Sequence, residues 1–551
     1  MRRTLLSAVA LFAVYACLSL LNDPAGYLGT DTGGKVATLR AVDARGGGLD
    51  PDVGYWAERW DPKGTLHPLY YTNHIGDRWV NVTTLPALYA SLPLYRIAGY
   101  RGALAVPMLG AVAVALAAAA LARRLGARDG GRLAFWVVGL ASPITIYAID
   151  FWEHTLGVAL MAWAVVVLVD LSRRAKSPPW ALVAGGLFGA AATMRTEALV
   201  YGLVATALAC LALFRRSPMR AVAVGLLVAA ALVVPLTLNA AVERSVVGQS
   251  MRADRAQGTV QTSGDVTPGE RVREAAVTAI AATSDGSPAS MTLGALVAVL
   301  VALAVIRRSL PAALAAGALV LARTAAGLDF VPGMLVATPP AAVGVAVAWK
   351  RGRVGHYITL VAVASLPLVW AFQFAGGAGP QWGGRYILLS GFLLGVVGIV
   401  AIADAPVAIR NSVVALSVLV TALGMAWMVQ RTHEIARGAR QLEARSQPVL
   451  ISGVGHLVRE GGAVHDLRRW LTAVNDADMR RAADVADAAG AARIGVVDVP
   501  GHPPPLRLGR YCRAAAAGSS RVRWLAGSPL AVWDYRLDPG LGQPNTCSPT
   551  E

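Results

Sequence analysis

Four short stretches of the chain combine residue types that can move a proton or hold an anion. Gly29-Thr30-Asp31-Thr32-Gly33-Gly34-Lys35 sets a carboxylate in a glycine-rich bend soon after an apolar N-terminal run. A carboxylate there can act as a general base toward a hydroxyl if partial desolvation lifts its pKa. The same spacing suits an aspartate that caps a helix starting at Thr32 or Gly33. Asp150, Glu153 and His154 stand at one-turn spacing, which places two carboxylates and an imidazole on one side of a helix beginning there. Such a set can hold a divalent cation or orient an acceptor, and it equally suits a solvated helix N-terminus. Arg195, Arg323 and Arg385 fall at the ends of apolar runs, where a guanidinium is costly unless it is paired or functional, and where it fits a phosphate through paired hydrogen bonds. The alternative is that each arginine snorkels to lipid headgroups. Finally, Trp56, Trp60, His67, Tyr70, Tyr71 and His74 are interleaved with polar residues, a mixture that stacks on sugar rings or lines a membrane interface.

The elements that must position these residues are membrane helices. Of 551 residues, 55% are hydrophobic and only 15% charged, and the charges gather between apolar runs long enough to cross a hydrocarbon core. The net charge of +17 comes largely from loop pairs such as Arg123-Arg124, Arg173-Arg174, Arg215-Arg216, Arg307-Arg308 and Lys350-Arg351. Those pairs read as positive-inside signals, not as a nucleic-acid stripe. The pattern predicts about 13 transmembrane helices: 4–21, 102–121, 133–149, 155–172, 180–194, 197–214, 220–241, 291–306, 310–326, 333–349, 356–374, 386–404 and 411–429. The N-terminus is then cytoplasmic and the C-terminus outside. The membrane domain covers 1–430, with long outer loops at 22–101 and 243–290, the second carrying a short helix near Val272–Ala282. Leu85–Gly99, interrupted by Pro86, Pro93 and Arg96, reads as a helix lying in the outer interface.

Beyond Gln430 the strand-like runs Pro448–Ser452 and Arg493–Asp498 flank an amphipathic stretch, Leu467–Ala489, so 431–551 is expected to be a small extracytoplasmic α/β domain. Of the 4 cysteines, Cys17 and Cys210 sit in apolar helices. Cys512 and Cys547 sit in a compartment that permits a disulfide between them.

Taken together the features resemble the GT-C superfamily of membrane glycosyltransferases, which take a sugar from a polyprenyl-phosphate carrier at the outer face of the membrane. The matching elements are Asp31 soon after the first helix, Asp150 between the third and fourth, the glycine-rich run Gly185-Gly186, Gly189 leading to Arg195, and Trp382-Gly383-Gly384-Arg385-Tyr386 before an apolar helix. The helix number and outer tail are similar to the lipid A aminoarabinose transferase arm. The resemblance implies that Asp31 is the catalytic base of an inverting transfer to a glycan, lipid or protein acceptor. Arg195, Arg385, Arg323 and Lys35 would hold the donor phosphate, and Asp150 and Glu153 the acceptor or a divalent cation. His154, Trp56, Trp60, His67, Tyr70, Tyr71, His74, Trp382 and Tyr386 would line the acceptor and sugar sites. Many members carry a second carboxylate beside the first, and this chain has Thr32 there, so metal dependence is open. A transporter or lipid flippase would place its ionisable groups near the bilayer midplane in two corresponding halves. A non-catalytic envelope scaffold would differ in lacking a pocket floored by Asp31.

Overall fold

The computed structural model describes residues 2–27, 29–46, 48–173, 175–252, 266–327, 330–372, 382–461, 468–514, 520–525 and 528–538. In lipid every backbone N–H and C=O must find its partner within the segment, so the apolar runs fold as helices. In order these are α1 (Arg2–Ser19), α2 (Thr30–Ala44), α3 (Leu85–Ala103), α4 (Ala105–Arg124), α5 (Arg132–Leu140), α6 (Pro143–Ala148), α7 (His154–Ser172), α8 (Trp180–Met194), α9 (Glu197–Phe214), α10 (Pro218–Val247), α11 (Pro268–Ile280), α12 (Pro288–Ile306), α13 (Leu310–Ala325), α14 (Met334–Ala337), α15 (Pro339–Val347), α16 (Gly352–Phe372), α17 (Leu388–Ala403) and α18 (Val407–Glu443).

Among the described residues nine helices are long and apolar enough to cross a membrane, with α8 and α13 shorter. The thirteen expected runs are helical over most of their described length; 102–121 passes from α3 to α4 at Leu104, and two others are broken at a proline. The run 133–149 divides into α5 and α6 at Ser142-Pro143, and 333–349 into α14 and α15 at Thr338-Pro339. A proline has no N–H to continue the first helix and is suited to start the second. At the first break Ser142 Oγ accepts from Ile144 N at 3.2 Å, capping α6. The side chains of Leu203, Leu211, Leu226, Val233 and Leu238 on α9 and α10 are exposed, the face that lipid covers. The stretch read as interfacial, α3, is a helix kinked at Ala98-Gly99 with Pro93 inside it.

α18 runs unbroken for 37 residues, about 55 Å at 1.5 Å per residue, through the hydropathy drop at Gln430. It leads into a sheet of strand order β4-β3-β5-β9-β7-β6, with β8 paired to β9. The strands are β3 (Val449–Ser452), β4 (Arg469–Thr472), β5 (Arg493–Asp498), β6 (Arg507–Leu508), β7 (Tyr511–Arg513), β8 (Ser520–Leu525) and β9 (Ser528–Leu537). β3 is parallel to β4 and β5, and the other pairings are antiparallel. α19 (Leu457–Gly461) and α20 (Asp476–Ala488) make the crossovers. The amphipathic stretch 467–489 is therefore two elements, a buried strand followed by a helix, because Trp470 and Leu471 are claimed by the sheet.

The long loop expected at 22–101 is also structured. It contains α2 and a hairpin, β1 (Thr72–Ile75) with β2 (Arg78–Asn81). Tyr55, Ala57, Leu66 and Trp79 share one hydrophobic core with Val449, Ile451, Leu471 and Ile494 of the C-terminal sheet. Trp56 Nε1 donates to the Trp470 carbonyl at 2.8 Å, and Thr472 N to that of Leu66 at 2.9 Å. The outer loop and the C-terminal domain thus fold as one body. Cys512 is disulfide-bonded while Cys17 and Cys210 are free thiols, and the expected partner Cys547 lies outside the described residues.

Helices in lipid gain little from hydrophobic exclusion, so small residues set how closely they pack. On α8, a Cβ at Gly185 or Gly189 would overlap the backbone of α10 at Val228 and Leu232, whereas one at Gly186 would meet nothing within 4 Å. Gly185→Ile is expected to destabilise the protein by about 1–3 kcal/mol through overpacking, and Gly186→Ile to be neutral. Melting curves of the two variants in one detergent check this, and equal behaviour would refute the close-packing account.

Candidate active site

The glycine-rich bend forms the first turn of α2. Gly29 is its extended N-cap, no side chain caps the helix, and Asp31 lies in the first turn. The capping alternative for Asp31 is therefore set aside, and its charge instead benefits from the positive end of the helix. Asp31 Oδ2 accepts from Arg385 Nη1 at 3.0 Å. The Asp31 side chain is 40% exposed, so part of the carboxylate stays open to a ligand. One residue on, Thr32 Oγ1 lies 3.0 Å from both carboxylate oxygens of Asp150. One turn on, Lys35 Nζ bonds Glu153 Oε2. Three side chains of one helix turn thus engage the 150–154 segment and the start of α17.

Asp150, Glu153 and His154 do not act as one cluster. The backbone turns between them, α7 begins only at His154, and each takes a different partner. Asp150 also accepts from Phe151 N at 2.9 Å and Tyr100 Oη at 3.4 Å. Glu153 lies between Lys35 and Arg195, whose Nη1 is 3.4 Å from Oε1. His154, 2% exposed, accepts from Arg195 Nη1 at 2.9 Å and stacks on Tyr147 at 4.9 Å. A guanidinium can only donate, so Nε2 is the unprotonated ring nitrogen. The carboxylates are already spent on protein donors. Among the described residues no three His, Cys, Asp or Glu side chains gather as a metal set.

Arg195 occupies the break between α8 and α9 in extended conformation, and its Nε donates to Glu197 at 2.7 Å. Room for its stem comes from Gly157, where a Cβ would lie 2.7 Å from Arg195 Cγ. Arg195 and Arg385 flank the Tyr386 ring at 5.0 and 4.8 Å. Arg323 is not brought to this group, since it lies near Asp285 and acts on that carboxyl.

The aromatics separate. Tyr70 and Tyr71, both exposed, lie beside Arg459, which stands 5.6 Å from the Tyr71 ring. His67 and His74 stack on Trp79 at 5.4 and 4.2 Å, forming the outer module's core instead of a sugar platform. Trp60 is partly exposed and packs near Trp56, which lines a separate cavity of about 1070 Å³ with Arg40, Arg45, Tyr95 and Arg469. Trp382 is only 1% exposed, packed on Phe330, Trp427 and Gly424, so it holds helices together and offers no face to a ligand. His154 is likewise too buried to touch a sugar. Gln381 lies outside the described residues.

Burial pushes the Asp31 carboxyl up, but Arg385, Lys35, Arg459 and Arg195 outweigh it and hold it at about 2. Asp150 behaves in the opposite way. Burial pushes it up to about 6, only partly countered by the Thr32 hydroxyl, the Phe151 N–H, Lys35 and Tyr100. Two carboxylates of one site are thus driven apart, one permanently ionised and one able to take a proton near neutrality.

Sequence reasoning missed Arg459, Thr32, Tyr100 and Asn81. Only the Gly33-Gly34 pair hinted that another element presses on this bend.

No family model and no curated protein matches the chain by sequence. Among solved structures, ArnT from Cupriavidus metallidurans in the apo state aligns with a TM-score of 0.51 at 12% identity, covering 96% of this chain and 97% of that one. The archaeal oligosaccharyltransferase AglB from Archaeoglobus fulgidus, in complex with an inhibitory peptide and a dolichol-phosphate, aligns with a TM-score of 0.47 at 12% identity, over 89% of this chain and 69% of that one. The chain therefore shares the fold of the ArnT structure along nearly its whole length.

The raised Asp150 binds its proton more tightly folded than unfolded, so its protonation favours the fold increasingly as pH falls from above 6 toward 3.8. The neutral Asp150→Asn avoids the burial penalty at all pH values. It is expected to be more stable than wild type at pH 7.5, by roughly 2–3 kcal/mol at 1.36 kcal/mol per pKa unit, and to lose about half of that gain by pH 5 and most of it by about pH 4. A difference independent of pH would contradict the raised value.

Proposed function

We propose that this chain is an inverting glycosyltransferase that moves a sugar from a polyprenyl-phosphate carrier to a glycan, glycolipid or protein acceptor at the outer face of the cell membrane. The observation that carries the reading is Asp31, a partly exposed ionised carboxylate ion-paired to Arg385, with Arg195 and Lys35 close by. A base beside a set of guanidinium groups is what displacement of a phosphate leaving group requires. The acceptor oxygen attacks the anomeric carbon while the bond from that carbon to the phosphate oxygen breaks. The hydroxyl proton passes to Asp31, and the electron pair leaves with the lipid phosphate, whose charge Arg385 and Arg195 receive.

A carboxylate held near 2 is a weak base, and here the donor itself supplies the correction. Phosphate bound to Arg385 offsets the positive field on Asp31 and raises its basicity as the complex forms. The Tyr386 ring lies within 5.0 Å of both guanidinium groups. Asp150, hydrogen-bonded to Thr32, fixes the turn that carries Asp31, while Tyr70 and Tyr71 offer exposed rings to a sugar. The ionisable groups gather at one end of the helices, which disfavours a transporter or flippase working at the midplane. In this reading the N-terminus is cytoplasmic and the C-terminal domain extracytoplasmic. Mannosyl and arabinosyl carriers are the first donors to assay.

Transfer of labelled sugar from polyprenyl-phosphate donors by purified wild type and Asp31→Asn, matched for folding, tests the proposal. A loss on the order of 10²–10⁴-fold in the variant is expected for removal of a general base. Equal rates would reject Asp31 as base. Absence of transfer by wild type from every donor would reject the enzyme.

A further inference from the structure

The C-terminal domain reaches Asp31. α19 packs on α2, and its Arg459 is 1% exposed. The Asp31 Oδ1 atom is 3.9 Å from Arg459 Nη2, while the other oxygen of Asp31 is held by Arg385 at 3.0 Å. Arg459 Nη2 donates to Asn81 Oδ1 at 3.3 Å, and Nε and Nη1 have no hydrogen-bond partner. Each other cation of the site has a carboxylate within hydrogen-bonding distance: Lys35 has Glu153, Arg195 has Glu197, and Arg385 has Asp31. Arg459 does not.

The surrounding chain is shaped to hold this side chain in place. A Cβ on Gly33 would overlap the Arg459 carbonyl, and one on Gly34 would lie 2.5 Å from Nη2 and 2.8 Å from Nε. Tyr71, whose ring faces the guanidinium, is held at φ 63, a left-handed conformation that a bulky residue rarely adopts. A buried guanidinium with unmet donors opposes folding, so an arginine held this way answers to something other than stability.

We infer that Arg459 is an anion-binding residue beside Asp31, through which the C-terminal domain receives the oxyanion of a phosphate ester. The inference rests on the glycosyltransferase reading for the identity of that ester, a lipid phosphate. The C-terminal domain is then part of the reaction site, not an appendage for the acceptor alone.

The test uses the full chain in detergent micelles, titrated calorimetrically with farnesyl phosphate, farnesol and inorganic phosphate. Arg459→Met, which keeps the volume and removes the charge, is compared with Arg459→Lys and wild type. Wild type should prefer farnesyl phosphate to farnesol. Arg459→Met should lose affinity for the phosphate on the order of tenfold, as expected for a charge-assisted contact, with farnesol binding unchanged and Arg459→Lys recovering part of the loss. Its melting temperature should stay level or rise, because an apolar near-isostere relieves the unmet donors, whereas an arginine of purely structural role would lose stability. Equal response to inorganic phosphate would place the affinity in the free anion, and response to the ester alone in the lipid headgroup. Either supports the site. Undiminished farnesyl phosphate binding by Arg459→Met overturns the inference and leaves the glycosyltransferase reading standing. Absence of any phosphate preference in wild type overturns both.

Discussion

Charge buried beside lipid survives only in company, and that constraint organises this molecule. Lys35, Glu153, Arg195 and Glu197 form a continuous chain of opposite charges, and Asp31 with Arg385 forms a second pair alongside it. The partners come from α2, the segment before α7, the break between α8 and α9, and the start of α17. None of these segments could be withdrawn without stranding a partner in a region of low dielectric. The pairing therefore fixes the relative placement of helices that share no sequence neighbourhood, and it leaves the site's dipoles oriented before any ligand arrives.

The second organising fact is that the outer module has a core assembled from both ends of the chain. Trp79 and Leu66 pack with Ile451, Leu471 and Ile494, so the segment after α2 and the C-terminal sheet bury their apolar side chains against each other. This joint core carries α19 onto the glycine face of α2. The Asp31 turn is held between the helical body, through Arg385, and the C-terminal domain, through Arg459.

Much of this was legible in the sequence because lipid makes charge conspicuous. Arg195 and Arg385 stand at the ends of apolar runs, and Asp31 stands between glycines soon after the first such run. Their chemistry could be proposed from type and place alone. Arg459 was illegible because it lies in an ordinary polar stretch, where one more arginine carries no contrast, and only the tertiary fold brings it to Gly34. Trp382 and His154 show the opposite limit, since residue type suggested contact with a sugar and burial denied it. The boundary drawn at Gln430 falls inside the continuous helix α18, because hydropathy reports the medium and not the end of a helix. The strands after Arg507 are short, and their identity depends on pairing with β9, which no local pattern reveals.

The unbroken course of α18 means that the outer module is mounted on a rigid screw thread. Each residue along an α-helix advances about 1.5 Å and turns about 100°, so height above the membrane and compass direction cannot be changed independently. One residue added between Trp427 and Glu443 would swing α19 well away from the face of α2 that accepts it. Seven would nearly restore the direction and lift the module by about 10 Å. The length of this helix is thus a phase as well as a distance, and homologous chains that keep an arginine at this site are expected to vary its length in steps of whole helical repeats or to leave it unchanged.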